Sequence, residues 1–129
     1  MTPATSMPVE APAGGPDLLE GLIDIYGRER VLYQEVLQLS REQAELVRRG
    51  EGLAGIRLIL DAKRERLDEI SRLESVSTAA RDAWEQRRLG PGGTQPARLQ
   101  QSLQAVGALI EKILQVEAEN DRLFMSMAR

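Results

Sequence analysis

Leu123-Phe124-Met125-Ser126-Met127 places four large apolar side chains within five positions, just after an Asn120 that falls on the rung of Leu99, Val106 and Ile113. One core-facing helical stripe cannot use all four, so some face outward, where aromatic and thioether surface can take up another helix. The other reading is a chain end that folds back against its own core. The partner-binding residues read from this stretch are Asn120, Leu123, Phe124, Met125 and Met127. Covalent chemistry has few means here. The chain has no Cys and no His, which removes the common nucleophile–base pairs, proton shuttles and soft-metal ligands. Its 20 acidic residues are scattered and form no calcium-binding loop, so no metal, cofactor or hydrolytic site is expected, and the chain reads as a non-enzyme.

Positioning such a surface falls to helices. At 129 residues there is room for one domain, and with 42% hydrophobic but only 3% aromatic residues the core must be built from Leu, Ile, Val and Ala. An all-α fold follows. A net charge of −3 with interleaved signs supplies no basic field, so nucleic acid is not an expected partner. No apolar run approaches the roughly 18–20 residues that span a bilayer, and the N-terminus has neither a basic nor an apolar leader region. Membrane insertion is not expected, and a cytoplasmic location is.

The first 16 residues, MTPATSMPVEAPAGGP, have no apolar period and read as a disordered tail. Helix one is expected over 17–48, opened by Pro16-Asp17 and carrying Leu18, Ile25, Leu32, Leu39 and Leu46 at seven-residue spacing. Leu19, Tyr26 and Tyr33 flank that line on one side, and Leu22, Val36 and Leu37 form another set beside it. Asp24 with Arg28 and Glu45 with Arg49 are spaced for ion pairs on the solvated face. Gly50-Glu51-Gly52 is a short turn, so the next helix must run back antiparallel.

Helix two is expected over 53–88, with Leu53, Ile56, Ile59, Leu60, Leu67, Ile70 and Leu73 as its apolar positions. Lys63 interrupts this stripe, and is expected to bury its stem while its ammonium reaches water. After Leu73 the pattern thins to Val76, Ala79, Ala80 and Trp84 among small polar residues, which suit either close helix approach or a kink. Trp84 suits a cap over the core end or a partner anchor. Residues 89–96, LGPGGTQP, form a loop without the lysine and hydroxyl of a phosphate cradle. Helix three is expected over 97–127. There Asn120 either fixes register or sits half exposed.

These elements make an elongated antiparallel three-helix bundle, a helical hairpin plus a C-terminal helix, within one domain over 17–129. The opening segment LLEGLIDIYGRERVLYQEVLQLSREQAELVRRGE, the later DAKRERLDEI and the final EAENDRLF together resemble the FlgN family of flagellar export chaperones. The resemblance runs over about residues 18–127 and is thinnest between Val76 and Pro96. It rests on the Gly50-Glu51 turn followed by Leu53, on Lys63 followed by Leu67 and Ile70, and on Asn120 followed by Leu123; Gly52 is a departure. It implies a small cytoplasmic helical protein that holds hook-associated, hook–filament junction proteins until the type III export apparatus takes them. Cargo capture through the C-terminal helix is implied for Ile113 to Met127 only, which adds Ile113 and Leu114 to the candidate set. The alternative is a structural or scaffolding coiled coil that self-associates, and a weak homodimer is compatible with either.

Overall fold

A computed structural model describes residues 15–50, 52–87 and 96–127. The expected tail and interhelical loop lie outside these residues, except for 15, 16 and Pro96. Among the described residues there are three helices, α1 (Gly15–Arg48), α2 (Leu53–Arg87) and α3 (Ala97–Met127), and the fold is an all-α helical bundle. At 34, 35 and 31 residues they extend about 51, 52 and 46 Å, taking about 1.5 Å per residue. α2 continues unbroken through the thinly patterned stretch after Leu73, where Ser77 is fully buried and its hydroxyl donates to the Glu74 carbonyl at 3.1 Å. No helix among the described residues is long and apolar enough to cross a membrane.

Contacts give the directions. Arg98 on α3 donates to both carboxylate oxygens of Glu20 on α1, at 2.6 and 3.2 Å, and Arg48 near the end of α1 donates to Glu119 at 3.3 Å. Those two helices therefore run parallel. Lys63 meets Gln43 while Arg66 meets Glu35, so α2 runs the other way. Among the described residues, α1 comes within 8 Å (Cα–Cα) of each neighbour, whereas α2 and α3 make no such approach to one another. α1 is thus the spine, and one side of the bundle stays open between α2 and α3.

The interior line of α1 is not the heptad line of Leu18, Ile25, Leu32, Leu39 and Leu46, all of which are only half buried. Deepest instead are Leu22, Tyr26, Glu29, Val36, Leu37, Ser40 and Ala44. A helix touched on two sides buries the strip between its contacts, and a regular row on one flank is covered by one neighbour alone. Around Leu22, Tyr26, Leu99 and Val106 the core takes residues from all three helices, with Trp84, Ala80, Leu103 and Ile110 packed against it. Trp84 therefore serves the core end. Glu29 and Ser40 place polar layers beyond that cluster, at positions where periodicity alone expects aliphatics.

α1 stops at Gly50, whose φ of 73° is left-handed and whose N–H donates to the Val47 carbonyl at 3.0 Å. A methyl there would meet nothing within 4 Å, so Gly50→Ala isolates backbone strain. It is expected to lower stability by about 1 kcal/mol, read as a lower urea midpoint with an unchanged m-value.

Candidate partner-binding site

The C-terminal half of α3 is held by a polar knot. Glu117 accepts hydrogen bonds from Lys63 of α2, from the Ser40 hydroxyl at 2.6 Å and from Asn120 at 3.3 Å. Lys63 also donates to Gln43 at 2.9 Å, and the Asn120 amide donates to the Ser40 carbonyl at 3.1 Å. Burial pushes the Glu117 carboxyl up, but hydrogen bonds from Lys63, Ser40 and Asn120, with the Lys63 charge, outweigh it and hold the group below the usual carboxylate range. Lys63 corrects the sequence expectation. Its residue is only 8% exposed, and its ammonium is spent inside the bundle instead of reaching water.

This knot fixes the rotation of α3, and hence what the helix shows. Asn120 is buried and bonded to the spine through Ser40, and Ile113 and Leu123 are half buried, so these three members of the predicted set are at least partly covered by the bundle. Leu114, Phe124, Met125 and Met127 are exposed, at 63, 62, 62 and 48%. The set therefore divides into a supporting half and a presented half.

Apolar surface is also presented by α2, where Leu53, Leu58, Leu60 and Leu67 are all exposed. Of the seven positions assigned to its core stripe, only Ile59, Ile70 and Leu73 are buried, which corrects that stripe to a narrower one. The sequence did hold a signal. Leu58-Ile59-Leu60 is three aliphatics in a row, and one helical face cannot cover all three. On the opposite seam, between α1 and α3, lies a cleft of about 590 Å³ lined by Arg41, Ala44, Arg48, Val116, Glu119 and Arg122. Glu119 already pairs there with Arg48 and Arg122, which leaves the cleft a charged joint between helices.

No group of acids suited to a metal ion occurs among the described residues. What the arrangement offers is non-covalent, namely exposed aliphatic, aromatic and thioether surface on long, firmly oriented helices. Comparison of the chain with protein-family models, curated proteins and solved structures finds no match.

Proposed function

We propose that this protein captures an amphipathic helix of a partner and keeps it from assembling, with the C-terminal half of α3 as the capturing edge. One observation carries the reading: Leu114, Phe124 and Met125 stand more than half exposed on a helix whose rotation is pinned by Glu117 and Asn120. Burial of a partner's apolar face there lowers the concentration of its free form by mass action. The sequence resemblance supplies the class of partner, the terminal helices of flagellar hook–filament junction proteins awaiting type III export.

The test is co-elution of purified protein with such a cargo helix. Phe124→Asp and Leu114→Asp are each expected to weaken capture by roughly tenfold or more while leaving the helical circular dichroism intact, since both side chains are exposed. A native protein that ignores these cargoes, or capture indifferent to both substitutions, rejects the reading.

A further inference from the structure

We infer that the open side between α2 and α3 docks on a second copy of this chain, with α2 of each copy lying over α3 of the other. The Lys63–Glu117 pair marks the floor of that side. Leu60 and Leu67 stand three before and four after Lys63, and Leu114 and Asp121 stand three before and four after Glu117, so each pair borders its partner in the knot. The other flanks are already taken. Ile59 is buried, Arg66 donates to Glu35 of the spine at 3.1 Å, and Glu119 meets Arg48. Leu60, Leu67, Leu114 and Asp121 are therefore left facing the open side, all of them exposed.

Charge and height select the occupant. Arg57 and Arg64 edge the α2 bank, Asp121 edges the α3 bank, and none of the three has an ion-pair partner among the described residues. Asp61 and Asp68 lie one step further around α2, toward solvent. Counting from the Lys63–Glu117 level in antiparallel helices, Leu67 stands within about 2 Å of the height of Leu114, and Arg57 within about 3 Å of that of Asp121. A two-fold axis parallel to the helices preserves height and exchanges α2 for α3. It sets Leu67 over Leu114 of the second copy and Arg57 over Asp121 of the second copy, and the reciprocal contacts follow automatically. The surface thus matches itself at two contacts, Leu67 on Leu114 and Arg57 on Asp121, with Leu60 level with Asp121 beside the second. This inference does not require the cargo reading, although Leu114 serves both, so dimer and cargo complex compete.

Sedimentation velocity of the full chain at micromolar concentration is the test. The native chain is expected to run as a dimer. Arg57→Glu and Asp121→Arg, each alone, set two like-charge pairs across the interface and are expected to raise the dissociation constant about tenfold. Mixed together, the two variants form a dimer in which both pairs are again of opposite charge, one native and one with its signs exchanged, and so recover the dimer that each variant alone weakens. Leu67→Glu, at a side chain 46% exposed and thus harmless to the fold, is expected to run as a monomer. A native chain that is monomeric, or a dimer unmoved by Arg57→Glu and Asp121→Arg, overturns the inference. A dimer that ignores junction-protein helices removes only the chaperone reading, and a monomer that captures them removes only this one.

Discussion

Glu29→Gln is expected to stabilise the protein by about 3 kcal/mol at pH 8, and to flatten a decline in stability that the native chain shows from about pH 5 upward. Glu29 is fully buried in the interior line of α1, and no donor reaches either carboxylate oxygen. Burial pushes its pKa up to about 8, helped by a hydrogen bond to Glu74 that favours the neutral form and by repulsion from the Glu74 charge, with Arg81 opposing. The sign follows from the two states. Below the ordinary value of 4.5 Glu29 is neutral whether folded or unfolded; between 4.5 and about 8 only the unfolded chain ionises, so stability falls as pH rises. Above that range the loss is complete. Glutamine keeps the shape of the neutral acid and donates permanently to Glu74. Thermal melts from pH 5 to 8.5 read the effect as a gain of order 10 °C at the alkaline end. Parallel pH profiles for the native chain and the variant would falsify the assignment.

Why Glu29 is buried where it is could not be read from spacing. Heptad counting finds apolar rows, and on α1 the most regular row is Leu18 to Leu46. That row tells correctly that the segment is a long helix covered on one side. It does not tell which neighbour covers it, because the width of a buried strip depends on how many helices touch it and at what angle. Since α1 touches two helices, the strip moved to Leu22, Tyr26, Glu29, Val36 and Ser40, and two polar residues came with it. Helix limits were more legible. Gly50 acts locally, through its left-handed backbone, and α1 begins at Gly15, two residues before the expected 17.

The site was legible in kind and less so in detail. Crowding of apolar residues at the end of α3 signalled outward-facing surface, and Phe124, Met125 and Met127 do face outward. The same crowding is silent on rotation, which is decided by the Glu117 knot, and so Ile113, Asn120 and Leu123 turned inward. On α2 the error ran the other way. Leu60 and Leu67 match the helical period as well as Ile59 and Ile70 do, and only the separation of α2 from α3 leaves them uncovered. A period fixes which residues share a face, while topology decides whether that face meets anything.

Lys63→Met is expected to cost about 2–3 kcal/mol near neutral pH, although methionine matches the stem of lysine and suits an apolar interior. The loss comes from Glu117. Without the ammonium its carboxylate keeps only Ser40 and Asn120 as donors, and part of its burial goes uncompensated. Because Glu117 is held below the usual carboxylate range, its contribution is present above its unfolded pKa and is lost as pH falls through the folded value, the reverse of Glu29. The native chain is therefore squeezed from both sides, by Glu117 in acid and by Glu29 toward alkali. Lys63→Met should erase most of the acid-side dependence, since the protonated Glu117 needs no cation. Pairing it with Glu117→Leu removes the stranded charge and is expected to recover most of the stability, as buried ion pairs replaced whole by apolar groups commonly do. Urea unfolding of the two single variants and the double variant measures the coupling. If the double variant is as unstable as the sum of the singles, the ion pair does not hold α3 in its rotation, and the exposure of Leu114 and Phe124 needs a different cause.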